Sequence, residues 1–316
     1  MIIQNNISRK SIAIIGTCMV GWLTTAFIVL FLVDYAFGLF IWLPIVMGAL
    51  STFIYGTGSA VSRQACRNVS YITVGVYCIG LLLFAIEGII CIVMAAPLGI
   101  LFTWIGHLIG YELIKAKVNH NLSVIALLLT LPLVTGFEYK WSKTSDIKPV
   151  ITSIEINASP EIVWKNVIEF SPLDPPSEFI FKTGIAYPVN AKINGRGVGA
   201  VRNCNFSTGS FVEPITVWNE PKLLSFDVSD QPEPMKELSP YNIHPNHLHG
   251  FFVSKHGQFK LTALPNGHTL LEGTTWYYNN IKPNLYWILW SDYIVHQIHM
   301  RVLKHIKHQS EAAIKG

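Results

Sequence analysis

Three imidazoles fall close together in His244-Pro-Asn-His247-Leu-His249. Three histidines can form an open metal site, and Asp227, Asp230 or Glu233 are the nearby carboxylates that could join it. Pro245 kinks the segment and the spacing is irregular. The expected role is therefore a polar loop over a cavity mouth, with His247 and His249 as ligand contacts and no bound metal or cofactor. A second set, Asp292, His296 and His299, is spaced i, i+4, i+7 and shares one helix face. It could be an acid–base pair, with the aspartate orienting one imidazole. It could equally cap a surface, because His305 and His308 make the same helix rich in histidine. Polar contact with a ligand is the reading taken, and no residue is assigned as catalytic.

Strand alternation puts Ala200, Arg202, Cys204 and Phe206 on one face, and Phe211, Glu213, Ile215 and Val217 on a face of the next strand. A hairpin closing at Ser207-Thr208 sets Arg202 opposite Glu213 among apolar neighbours. A cross-strand ion pair there suggests the polar end of a cavity. The alternatives are a partly exposed stabilising pair, or a register one residue off that separates them. Glu87, His107 and Glu112 lie in or beside apolar runs, which invites a proton-relay reading. The simpler reading puts Glu87 in an interfacial turn and Glu112 at a helix end. Five cysteines show no CxxC or Cys/His zinc spacing, so a structural zinc site is not expected.

The elements that must hold these residues divide the chain in two. Residues are 51% hydrophobic and 13% charged, with a mean hydropathy of +0.40. The shortage of charge is confined to the stretch before Tyr139. Uncharged runs at Ser11–Val33, Tyr35–Ser62, Asn68–Ile86, Gly88–Tyr111 and Val118–Phe137 each reach the ~19 residues that span a hydrocarbon core as helix. An alternative boundary lets Pro97 end a longer third helix that carries Glu87. Small residues at Gly75, Gly80, Gly99, Gly106 and Gly110 would let such helices pack closely. Arg9/Lys10, Arg63/Arg67 and Lys115/Lys117 fall on one side, and Asp34 and Glu87 on the other. Lys and Arg collect on the cytoplasmic side, so five crossings put the remainder outside the cytoplasm. The net charge of +4 is scattered, with no basic run to bind nucleic acid.

After the apolar half, Val150–Asn157 alternates as a strand and feeds a short helix capped by Ser159-Pro160. Strand-like runs follow at Gly199–Phe206, Gly209–Trp218, Lys222–Val228, Gly257–Leu264 and His268–Tyr278. One long helix from about Pro283 to Ala313 closes the chain; its aromatic start, Tyr286-Trp287-Ile-Leu-Trp290, suggests burial in the core or contact with a membrane surface. Core burial is the default.

The segment Ile154-Glu-Ile-Asn-Ala-Ser-Pro-Glu-Ile-Val-Trp164 resembles the opening of the SRPBCC superfamily, the START-like, polyketide cyclase-like helix-grip fold. Gly195–Arg202 and Trp218–Val228 look like its middle strands. The resemblance covers about residues 148–312. It implies an antiparallel sheet wrapped around the long C-terminal helix, with an apolar cavity between them for lipids, sterols or polyketides. The superfamily shares no catalytic motif, so no catalytic residue is carried over.

The expected protein is a multi-pass membrane helical bundle over 1–140 joined to an α+β helix-grip domain over 148–316. It would sit in the cell (inner) membrane and bind a hydrophobic or lipid-like molecule, with Arg202, Glu213, His247, His249, Asp292, His296 and His299 as polar contacts. Its partners would be the bilayer and that ligand. Rival readings are a cyclase- or isomerase-like enzyme using the same cavity, and a membrane sensor or assembly factor.

Overall fold

The structure, a computed structural model, describes residues 2–58, 60–141 and 145–315. The chain forms two compact units. The first comprises Met1–Lys143, Glu237–His247 and Ile281–Pro283; the second comprises Thr144–Lys236, Leu248–Asn280 and Asn284–Gly316.

The first unit is helical. α1 (Ile2–Phe27) runs on through a π turn (Ile28–Leu32), and a second π turn (Gly38–Trp42) leads into α2 (Leu43–Gly56). α3 (Arg63–Leu83), α4 (Ile89–Lys115) and α5 (His120–Trp141) follow. Five helical stretches are long and apolar enough to cross a membrane. The Ser62 hydroxyl accepts from the Ala65 amide and so caps α3, which takes Arg63 and Arg67 into the helix rather than into a loop. Pro97 lies inside α4 instead of ending a longer third helix. Glu87 is left in the turn between α3 and α4.

Glycine sets the α2–α4 spacing. A Cβ on Gly106 would overlap the Ile45 carbonyl, one on Gly110 that of Ala49, and one on Gly48 that of Thr103. Gly80 makes room for the Trp22 indole, whereas Gly75 and Gly99 have nothing within 4 Å of where a Cβ would stand. Close packing therefore uses only part of the small-residue set. Charge sorts by end. Arg9 donates to the Gly58 carbonyl (3.2 Å), and Arg63 and Lys115 lie 5.9 and 5.2 Å from the Tyr111 ring centre. At the opposite end, Glu138 accepts from the amides of Phe37 (2.7 Å) and Gly38 (2.8 Å).

The second unit is a seven-stranded antiparallel sheet in the order β1-β7-β6-β5-β4-β3-β2. Its strands are β1 (Lys148–Ile156), β2 (Pro188–Asn194), β3 (Val201–Phe206), β4 (Gly209–Asn219), β5 (Leu223–Asp227), β6 (Phe252–Ala263) and β7 (Thr269–Asn279). Between β1 and β2 lie α6 (Pro160–Ile168) and α7 (Phe179–Lys182), and α8 (Asn284–Lys315) ends the chain. β2 and β1 are opposite edges of the sheet, yet both touch α8. The sheet therefore curls round the helix, which is the helix-grip arrangement. Trp164, only 1% exposed, packs among Ile156, Val163, Leu224, Leu271, Leu303 and Ile306. The aromatic start of α8 divides. Trp287 is buried, but Leu285, Leu289 and Tyr293 form an exposed stripe at i, i+4, i+8, so core burial describes only half of it.

Candidate functional site

β3 and β4 pair with Arg202 directly opposite Glu213. The expected register holds because the two-residue turn at Ser207-Thr208 joins strands whose apolar residues alternate inward. The pair is buried rather than partly exposed, with side chains 1% and 8% accessible. Arg202 Nη1 donates to Glu213 Oε2, and Nε donates to the Ile168 carbonyl at 3.1 Å. Its guanidinium carbon lies 5.4, 5.6 and 5.5 Å from the rings of Phe170, Phe226 and Phe259, within cation–π range. Burial lifts the Glu213 carboxyl above the usual carboxylate range, and the guanidinium offsets part of that rise. The Cys204 thiol, two residues along the strand, is pushed up to about 12 by burial. One donor remains over: Arg202 Nη2 is buried without a nitrogen or oxygen partner.

Arg202 and Glu213 line a cavity between the concave sheet and α8. Phe206, Phe211, Phe226, Phe252 and Phe259 line it from the strands, and Val295, Ile298, His299 and Val302 from the helix. The cavity has a volume of about 100 Å³, smaller than the roughly 300–1,000 Å³ usual for small-molecule sites. The walls are mostly apolar, with the buried charge pair and a few polar side chains, Ser254, Gln258 and Thr274 among them.

The helix residues separate. His299 reaches the cavity, sharing Nε2 with Thr275 Oγ1 (2.8 Å) and Nδ1 with Thr152 Oγ1 (3.1 Å). Burial, with His296 nearby, holds its pKa down at about 4, so the ring is neutral at pH 7. His296 also meets Thr152 (2.9 Å) but is exposed and does not line the cavity. Asp292 pairs with Lys148 (2.5 Å) and accepts from the Tyr277 hydroxyl (2.5 Å) instead of orienting either histidine. It is drawn away because a lysine and a phenol from the sheet meet it first.

The histidine loop separates too. His249 is solvent-facing, 3.3 Å from Glu233, and outside the cavity lining. His247 belongs to the first unit and is only 6% exposed. There its ring meets Tyr35 edge-on, with centroids 5.0 Å apart. Its Nε2 is 3.0 Å from Cys91 Sγ and 3.6 Å from Glu237 Oε1; its Nδ1 is 3.6 Å from Glu87 Oε2. Cys91 Sγ and Glu237 Oε1 are 2.6 Å apart. The expectation of His247 and His249 as contacts over the cavity mouth is therefore corrected for both. Glu87 does not lead into a proton relay: His107 Nδ1 meets Thr52 (3.1 Å), and Glu112 pairs with Lys115 at the surface. Glu237 and Cys91 were not foreseen. The one local signal is the four-residue spacing of Glu87 and Cys91, since the remaining partners lie far along the chain.

No protein-family model matches this chain, and no curated protein does. Solved structures similar to it include the ZhuI aromatase/cyclase from Streptomyces sp. R1128, at 9% identity over 54% of this chain and 96% of that one, with a TM-score of 0.36. A truncated norcoclaurine synthase from Thalictrum flavum is 10% identical over 55% of this chain and 98% of that one, TM-score 0.35. A protein from Nitrosospira multiformis is 17% identical over 54% of this chain and 100% of that one, TM-score 0.33.

Proposed function

We propose that the protein is a membrane-anchored member of the SRPBCC superfamily whose helix-grip unit binds a hydrophobic or lipid-like molecule carrying one hydrogen-bond acceptor. The carrying observation is the buried Arg202–Glu213 pair in the cavity lining, where Arg202 Nη2 is left without a nitrogen or oxygen partner. A buried unpaired donor costs about 1–3 kcal/mol, and a ligand carbonyl or carboxylate would recover it. Five apolar helices would anchor the chain in the bilayer, where such a molecule concentrates.

Native mass spectrometry of the detergent-extracted protein tests this reading. A copurifying apolar ligand is expected, and Arg202→Met should reduce its occupancy more than tenfold when it bears a carbonyl or carboxylate. His299→Gln keeps polarity but not titration, so a binding protein should change by less than about tenfold. A cyclase- or isomerase-like enzyme relying on that imidazole would lose about a hundredfold or more in turnover. Unchanged occupancy in both Arg202→Met and Glu213→Gln would remove the cavity from the account.

A further inference from the structure

In the first unit, Glu87, Cys91, Glu237 and His247 bring one ligand atom each to within 4.8 Å of the others. The chain works to assemble them. Gly88 has no side chain, and a Cβ there would overlap the Glu237 carboxylate. The Ile89 amide, an orphan donor at the start of α4, is taken by the Leu238 carbonyl at 2.9 Å. Asn246 Nδ2 donates to the Val29 carbonyl at 2.9 Å, placing His247 next to Tyr35.

The polar atoms so gathered are left largely unsatisfied. Glu237 Oε2 and His247 Nδ1 are buried without a hydrogen-bond partner, Glu87 has only the Tyr35 hydroxyl beside it, and Glu87 and Glu237 are only 8% and 7% exposed. Two ionised carboxylates buried this close repel one another unless a cation lies between them. The charged groups acting on Glu87 are His247 and Glu237, with no lysine or arginine among them.

We infer that Cys91 Sγ, Glu237 Oε1 and His247 Nε2 bind a divalent cation of the zinc class, with Glu87 as a positioning residue on His247 Nδ1. Thiolate and imidazole ligands select zinc-like ions over calcium or magnesium. Mutual separations of 2.6, 3.0 and 3.6 Å put the three ligand atoms around one centre. Glu87 faces the other ring nitrogen, and a carboxylate accepting from the distal N–H of a metal-bound histidine is a common supporting contact. Binding releases the Cys91 thiol proton to solvent, and thiolate plus carboxylate then neutralise the dication. The ion would fasten segment 237–247 to the start of α4.

Cobalt substitution tests this on the full-length protein, purified in detergent with a histidine-free affinity tag and stripped with chelator. One Co²⁺ per chain should bind with thiolate-to-cobalt charge-transfer absorption in the near ultraviolet, and one equivalent of Zn²⁺ should abolish the band. Cys91→Ser should remove the band. His247→Ala and Glu237→Gln should each weaken Co²⁺ binding by at least about a hundredfold, and Glu87→Gln by about 10–100-fold. His249→Ala should bind as the unaltered protein does. A spectrum that Co²⁺ leaves unchanged in the unaltered chain overturns the site whatever the variants do, and so does a band that survives Cys91→Ser. Loss in Glu87→Gln as complete as in His247→Ala overturns its positioning role. None of these outcomes depends on the occupancy of the helix-grip cavity.

Discussion

Arg202 occupies a position that costs energy unless something uses it. Removing a guanidinium from water carries a penalty of several kcal/mol, met here by Glu213, the Ile168 carbonyl and three phenylalanine rings. That pair was legible in sequence because alternation and a two-residue turn fix a cross-strand register over a short distance. His299 was legible as a helix-face residue, but its neutrality was not, since that follows from burial by elements distant in sequence. It carries a pH dependence. Its folded pKa of about 4 lies below the ordinary 6.5, so the neutral form is favoured by folding. The stabilisation is present above pH 6.5 and is lost as pH falls towards 4, where only the unfolded chain gains the proton. Thermal unfolding of the full-length protein should therefore show stability falling with acidification by at most about 1.4 kcal/mol per pH unit from this group. His299→Gln should flatten that slope between pH 6.5 and pH 4; parallel curves for the two proteins would show that the imidazole is not held neutral.

Elements were read most reliably where periodicity is long. β3, β4, β7 and α8 stand close to their expected bounds, the second apolar stretch ends at Gly56 and the third begins at Arg63, β6 begins earlier than expected, and β2 and α7 have no counterpart among the expected elements. β2 is interrupted by a register shift and α7 is a single turn, so neither leaves a pattern long enough to detect. Small residues were recognised as a class, but spacing alone does not say which of them face a neighbour. The structure separates them, and a paired substitution checks the separation. Gly106→Leu must push α2 from α4, because a Cβ there already overlaps the Ile45 backbone. It should cost about 1–3 kcal/mol or more. Gly75→Leu points its side chain into open space and should cost little. Thermal unfolding in detergent that ranks Gly75→Leu as the more damaging would overturn the assignment of the α2–α4 contact.

Charge distribution over the first unit bears on how the chain as a whole sits in a bilayer. Arg9, Arg63 and Lys115 gather at one end of the helices, tied to Gly58 and Tyr111. Asp34, Glu87 and Glu138 fall at the other, and Glu138 is two residues from the end of the fifth apolar stretch at Lys140. Odd crossings carry the chain from the basic end to the acidic one. Because Lys and Arg resist transfer across a membrane, five crossings would set the basic end in the cytoplasm and everything after Lys140 beyond it. Reporter fusions after Lys10, Arg67 and Lys117 should then give cytoplasmic signals, and fusions after Asp34, Ile86 and Ser145 extracytoplasmic ones. Moving the bias should move the answer: replacing Arg9 and Lys10 with Gln while placing two lysines beside Asp34 should raise the fraction of inverted chains. A cytoplasmic signal after Ser145 in the unaltered protein, with the other five fusions as expected, would mean that His120–Lys140 does not cross. The helix-grip unit would then work from the cytoplasmic face and draw its ligand from the inner leaflet.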